Sequence, residues 1–309
     1  MSVGIGRLQV FAAAILFSTG GAGIKAAAFT GLQVSALRSG IAAVILFLLL
    51  WGLSRRRREA KAERLVISGA MLATGVVYAA TVTLFVLSTK LTTAANAIFL
   101  QSTAPLYLLL LGPLLLREHF RGRDVGYLVG VAAGLVLCVM GQHAPTSTAP
   151  DPVTGNLLAV VSSITWAFTL LGLRYVQRNQ AHTTAGLVAV TLGNLFASLA
   201  AWPFAWPLPA ASAVEWATMV YLGVGQIGLA YVFLTAAIRV LPALEVSLLL
   251  LIEPVLNPIW TWMIRGEQPG AYTIMGGAII IAATAIKSVY DTRVPGTNRD
   301  PSPQTQVPG

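Results

Sequence analysis

The chain reads as one segment written twice, at a constant offset of 149 residues. Gly23 falls on Gly172, Lys25 on Arg174, Lys90 on Arg239, Ala94 on Ala243, Pro105 on Pro254 and Glu118 on Glu267. One offset serves from the first hydrophobic stretch to the fourth, so no net insertion separates the copies. Each copy carries five long apolar stretches. An odd number of crossings forces the second copy to sit upside down in a bilayer. Inverted repeats of this kind are the architecture of secondary transporters, which hold substrate where the two halves meet.

The composition requires lipid. Of 309 residues, 56% are hydrophobic and only 10% charged, against about 25% charged in a soluble domain. The net charge of +9 does not point to nucleic acid. Arg55, Arg56, Arg57, Arg58, Lys61 and Arg64 cluster between two apolar stretches, where basic residues set membrane orientation. No RNA-reading or helix-turn-helix pattern surrounds them. A single cysteine, Cys138, allows no intramolecular disulfide, and His119, His143 and His182 are far apart. No metal-ligand spacing exists, and neither metal nor cofactor is expected. The first apolar stretch follows Arg7 and contains small-residue runs, as a signal peptide does. It is longer than a usual signal core, and its end matches the sixth stretch through Gly23 and Lys25. A retained helix is therefore expected.

A helix needs about 20 apolar residues to cross the hydrocarbon layer. Ten windows qualify: 6–28, 30–52, 66–88, 93–115, 123–141, 155–177, 183–205, 215–238, 242–264 and 270–288. The expected fold is an all-α membrane protein of ten transmembrane helices, built as two inverted five-helix repeats. The repeats occupy 1–141 and 154–290, joined by a connection over 142–153 and followed by a disordered cytoplasmic tail over 291–309. With a cytoplasmic N-terminus, 16 of the 20 basic residues lie inside and four (Lys25, Arg38, Lys90, Arg265) lie outside or near it. That asymmetry predicts both termini in the cytoplasm of a multi-pass inner-membrane protein. Gly126, Gly130 and Gly134, spaced four apart, predict close helix contact.

Two segments carry a family resemblance. TTAANAIFLQSTAPLYLLLLGPLLLREH in one half and LPALEVSLLLLIEPVLNPIWTWMIRGEQP in the other share a small-residue entry, a mid-helix proline, and a Glu before the next helix. These are Ala94, Pro105 and Glu118, then Ala243, Pro254 and Glu267. With the ten-window layout, the chain resembles the EamA family of the drug/metabolite transporter superfamily over about 6–288. The resemblance implies export of amino acids or other small metabolites and names no single substrate. Ala104 precedes the first proline where Glu253 precedes the second, so the halves have diverged there.

Polar groups at mid-membrane mark candidate sites, because hydrocarbon penalises them without partners or water. Window midpoints fall near residues 17, 77, 104, 166, 227 and 253. Close to them stand Ser18, Thr19, Tyr78, Gln101, Ser102, Trp166, Gln226 and Glu253; Asn194 is an outlier in the seventh window. Helical spacing groups Thr74 with Tyr78 and Thr81, Ser162 with Trp166 and Thr169, Tyr231 with Thr235, and Glu253 with Asn257. The expectation is that these faces line one cavity; the alternative is that Ser and Thr bond their own helix backbone. Ser18, Thr19, Thr74, Tyr78, Thr81, Gln101, Ser162, Trp166, Thr169, Gln226, Tyr231, Glu253 and Asn257 are the substrate-binding candidates.

Glu253 is the one carboxylate near mid-membrane. Burial disfavours its charged form, which suits a group that takes and releases a proton or meets a substrate ammonium. A neutral Glu bonded to Gln101 or Asn257 is the alternative. Glu245 is expected to pair with Arg239, and Arg38 to snorkel toward the outer surface. Glu118 and Glu267 are expected at the positive ends of the helices they precede. Pro105 and Pro254 are the hinge candidates, at matching depths of the two copies.

These residues predict a secondary transporter exporting small polar metabolites, amino acids foremost, by alternating access through a central cavity. Its partners would be a small-molecule substrate and the bilayer, with transport either coupled to protons through Glu253 or simply following the gradient. No oligomeric state is specified, and a monomer is expected. A cationic drug or a nucleobase-like metabolite is the alternative cargo. An intramembrane enzyme would need paired acids or a nucleophile with its base, which mid-depth lacks. A structural membrane protein would not need the polar centre.

Overall fold

The computed structural model describes residues 3–59, 66–115, 122–140, 146–179, 184–237, 241, 246 and 249–293. Lys61, Arg64, Arg117, Glu118, His119, Arg121, His143, His182, Arg239, Ala243, Glu245 and the tail from 294 lie outside them, as does part of the 142–153 connection. The described residues are helical, without strands. Lipid leaves few alternatives, since it cannot hydrogen-bond open backbone. The helices are α1 (Val3–Ser18), α2 (Gly20–Ala26), α3 (Gly31–Glu59), α4 (Gly69–Leu91), α5 (Ala94–Gln101), α6 (Ala104–Leu115), α7 (Gly122–Met140), α8 (Pro152–Asn179) and α9 (Ala185–Ala205). There follow α10 (Ala213–Tyr221), a π-helical segment (Leu222–Leu229), α11 (Ala230–Ala237), α12 (Ile252–Arg265) and α13 (Ala271–Arg293).

Among the described residues, six stretches are long and apolar enough to cross a membrane: Val3–Ala26, Gly31–Arg55, Gly69–Leu91, Pro152–Gln177, Ala185–Ala205 and Ala213–Ala237. Shorter apolar helices cover Ala94–Leu110, Val125–Met140 and Ala271–Lys287. This is a multi-pass membrane protein. Its outward face carries Phe47, Leu48, Val129, Met140, Phe204 and Met263, all exposed, as a lipid-facing surface would.

Local signals set the ends. The Ser68 side chain accepts from Met71 N–H to start α4, and Thr93 accepts from Asn96 N–H to start α5. Ser212 and Glu215 form a reciprocal capping box on α10. Gly266 takes the left-handed conformation (φ 65°) that closes α12.

Several apolar stretches are interrupted. The one over Val3–Ala26 breaks at Thr19, between α1 and α2. The one over Ala94–Leu110 breaks at Ser102–Thr103, so Pro105 stands in the first turn of α6. Pro254 likewise stands in the first turn of α12, just after Leu251, which is Ser102 plus the repeat offset. A proline is tolerated in a first turn because the N–H it lacks has no intrahelical partner there. Both prolines therefore start helical pieces rather than bend continuous ones.

The most extensive packing joins α4 with α8 and α9, α3 with α9, α7 with α13, and α1 with α11. Exchanging each helix for its counterpart 149 residues away turns the α4–α8 pair into the α11–α1 pair. The same exchange maps α3–α9 and α7–α13 onto themselves. Small residues permit the approach. A Cβ on Gly134 would lie 2.7 Å from the Gly276 carbonyl, and one on Gly130 3.2 Å from Ala283 Cβ; one on Gly126 would meet nothing. A buried cluster of Val10, Phe17, Tyr78, Val82, Leu187, Tyr231 and Leu234 draws α1, α4, α9 and α11 together around the centre.

Candidate functional site

A cavity opens at that centre. It is lined by Phe17, Arg38, Thr81, Val82, Phe85, Gln101, Trp166, Gln226, Ile227, Tyr231, Leu234, Leu250 and Glu253. Its volume is about 80 Å³, below the roughly 300–1,000 Å³ of small-molecule sites, so cargo the size of an amino acid needs the halves to part. Eight of its lining residues form four pairs separated by the repeat offset: Phe17 with Trp166, Val82 with Tyr231, Phe85 with Leu234, and Gln101 with Leu250. The charged residues break the correspondence. Arg38 answers to Leu187, and Glu253 to Ala104.

Six of the thirteen sequence candidates reach the lining: Thr81, Gln101, Trp166, Gln226, Tyr231 and Glu253. Gln101 Nε2 donates to Ser162 Oγ at 2.8 Å, and Ser162 Oγ donates to the Thr81 carbonyl at 3.1 Å. Thr169 is buried and 3.1 Å from the Thr81 hydroxyl. Ser162 and Thr169 thus support the wall from behind. Tyr78 is buried one layer back, edge-on to Tyr231 with ring centroids 5.5 Å apart. Its hydroxyl accepts from Asn194 Nδ2 at 3.2 Å.

The remaining candidates lie elsewhere. Thr74 bonds the Ala70 carbonyl and packs against Gly172. Ser18 donates to the Ile15 carbonyl and accepts from Trp260 Nε1. Thr19 donates to the Leu16 carbonyl and meets Tyr221 OH at 2.8 Å. Asn257 is fully buried against Gly21, with neither side-chain polar atom partnered among the described residues.

Glu253 stands in the first turn of α12, where the helix dipole favours a carboxylate. Gln101 is engaged with Ser162, and among the described residues neither it nor Asn257 bonds Glu253.

Arg38 differs from expectation. It is 1% exposed and turns inward rather than snorkelling. Its Nη1 is 3.4 Å from Gln226 Oε1, and its Nη2 3.3 Å from the Val82 carbonyl. A sequence signal for it existed: Arg38 lies one turn from the midpoint of its own window, residue 41.

Glu267 also departs from expectation. It does not serve the helix it precedes. Its Oε1 accepts from Ala94 N–H at 2.6 Å, at the start of α5, and its Oε2 is 3.1 Å from Lys25 Nζ. Lys25 Nζ also donates to the carbonyls of Thr92 (2.7 Å) and Thr148. Lys90 Nζ donates to the Ala27 carbonyl at 2.6 Å. These contacts tie the ends of α2, α4 and α5 to the α12–α13 connection at one end of the bundle. An offset of 149 relates Lys25 to Arg174 and Glu118 to Glu267, but the pairing itself is long-range and has no local sequence signal.

Among the described residues no three His, Cys, Asp or Glu side chains converge as a metal site requires. The site offers hydrogen bonding, one cation, one carboxylate and aromatic surface.

Comparison with known proteins accords with this arrangement. The model of the EamA-like transporter family matches residues 4–140 and again 153–289. The chain belongs to the EamA-like transporter family. The two EamA matches begin 149 residues apart, as the internal repeat does. A curated relative in Pseudomonas aeruginosa, the pseudopaline exporter CntI, is 30% identical over 61% of this chain and 64% of its own length. The aromatic amino acid exporter YddG of Ancylobacter novellus is 24% identical over 66% of this chain and 70% of its own. An uncharacterized transporter of Archaeoglobus fulgidus is 27% identical over 63% and 67%. The chain spans about two thirds of the length of these relatives. A solved crystal structure superposes with a TM-score of 0.62 at 21% identity, covering 93% of this chain and 98% of that one. It shares the EamA chain's fold.

Proposed function

We propose that this chain exports small polar metabolites, amino acids foremost, across the inner membrane by alternating access through the central cavity. The observation that carries this reading is the lining of one cavity by four residue pairs at the repeat offset. A site shared by two equivalent halves is what rocking of one half against the other requires.

The supporting layout is ten crossings in two inverted five-helix units, 1–141 and 154–290. The self-consistent exchange of helix pairs supports it. Both termini would face the cytoplasm. The Arg55 guanidinium, 4.0 Å over the exposed Trp51 ring at the end of α3, suits an inner interface. The Lys25–Glu267 cluster would then close the outer end. Pro105 and Pro254, beside matched helix breaks, would act as hinges, and Glu253 would meet a substrate ammonium or couple transport to protons. The exporters among the relatives agree with the direction. Aromatic rings beside one carboxylate also suit a cationic drug or a nucleobase-like molecule; the cavity's arginine counts against a simple cation.

The test is efflux of radiolabelled amino acids, L-phenylalanine included, from proteoliposomes loaded with them. Loss faster than from protein-free vesicles is expected. Rates equal to those of protein-free vesicles for every amino acid would refute the reading.

A further inference from the structure

A permanent cation facing a substrate cavity needs an account. Arg38 is buried, yet its guanidinium is poorly served. Both of its hydrogen bonds, at 3.3 and 3.4 Å, are longer than the usual 2.7–3.2 Å. Its Nε has no partner among the described residues. No carboxylate among the described residues is in ion-pair contact with it. Burying an unpaired charge is costly, so this arrangement favours an anion arriving from the cavity.

Glu253 lines the same cavity, from the first turn of α12. Tyr231 lines it together with Arg38 and Glu253. One cavity therefore presents a fixed cation and a carboxyl group that are not in ion-pair contact, with aromatic surface from Phe17, Phe85 and Trp166 beside them. Neither charge has a charged counterpart in the other half, where Leu187 and Ala104 stand. The charges follow from the divergence of the halves rather than from the shared scaffold, as expected of groups that define cargo.

We propose that Arg38 is the carboxylate-binding residue of the cavity, so that the cargo carries a carboxylate as well as an amine. The planar guanidinium matches a carboxylate through two parallel N–H donors, and Glu253 receives the ammonium. This assignment rests on the reading of the cavity as an amino-acid site.

The test is binding to the full-length detergent-solubilised protein by titration calorimetry. The probes are L-phenylalanine, L-phenylalaninamide, which lacks the carboxylate, and 3-phenylpropionate, which lacks the amine. Wild type should bind phenylalanine roughly 10- to 100-fold more tightly than the amide, as a charge-assisted hydrogen-bond pair provides. Arg38→Gln should weaken phenylalanine by a similar factor while leaving the amide within about 2-fold. Wild type binding phenylalanine and the amide equally overturns the assignment, and this arm needs no variant to fold. An Arg38→Gln loss that is the same for all three probes also overturns it, because the arginine would then only shape the cavity. Wild type binding none of the three overturns the assignment, whereas the amino-acid reading falls only if efflux fails for every amino acid.

Discussion

Neutralising Glu267 should strand Lys25. Their side chains are 5% and 3% exposed, with Nζ and Oε2 3.1 Å apart, so the pair is shielded from water. Removing one partner of a buried pair costs about 3–5 kcal/mol, because the other charge stays buried. Glu267→Gln belongs near the low end, about 3 kcal/mol. Its amide oxygen can still accept from Ala94 N–H, and Lys25 keeps the Thr92 and Thr148 carbonyls. Glu267→Ala should reach about 5 kcal/mol, since Ala94 N–H also loses its acceptor. Lys25→Met should cost about 3 kcal/mol, leaving the carboxylate anchored at the start of α5. The double variant Lys25→Met/Glu267→Gln buries no charge. It should cost about 2 kcal/mol less than the sum of its singles, within the range found for contacting residues. Unfolding in mixed micelles titrated with sodium dodecyl sulfate measures all four. Additivity of the two singles to within about 0.5 kcal/mol would show that the ion pair contributes nothing, and the argument would fail.

Other outcomes follow from the same geometry. Glu253→Gln should abolish efflux or flatten its dependence on pH between about 5 and 8; an unchanged profile in proteoliposomes would remove Glu253 from the mechanism. Gly134→Ala should destabilise by about 1–3 kcal/mol, because the new methyl meets the Gly276 backbone. Gly126→Ala, in open space, should be neutral; melting the two variants side by side checks the contrast, and equal Tm values would contradict it. Tyr78→Phe should cost about 0.5–1.5 kcal/mol through loss of the hydrogen bond from Asn194, and unfolding that matches wild type would show the bond has no net worth.

Much of the framework was legible before any coordinates. The 149-residue offset and the family resemblance reappear, in the paired cavity lining and in the two EamA matches; of the ten windows, six correspond to long apolar spans and three to shorter apolar helices among the described residues. The candidate site was legible in part. Depth along a membrane helix follows from counting residues, so Gln101, Gln226 and Glu253 were found at the level of the cavity. Depth does not say whether a hydroxyl lines a cavity or bonds its own helix. Thr74 and Thr169 both donate to the carbonyl four residues earlier, a choice made by local packing.

The chain alone determined that it must be helical and lipid-embedded, that it is built twice, and where along its apolar windows the polar groups stand. These follow from composition, period and count. Tertiary structure decided which face of each helix points inward. In a membrane the lipid-facing and buried sides are both apolar, so the hydrophobic pattern that orients a soluble helix is nearly absent. Arg38 therefore faces the cavity although its sequence equally permitted snorkelling. Glu267 reaches across to Lys25 and α5, because only the packed bundle brings residues 25, 94 and 267 to one point.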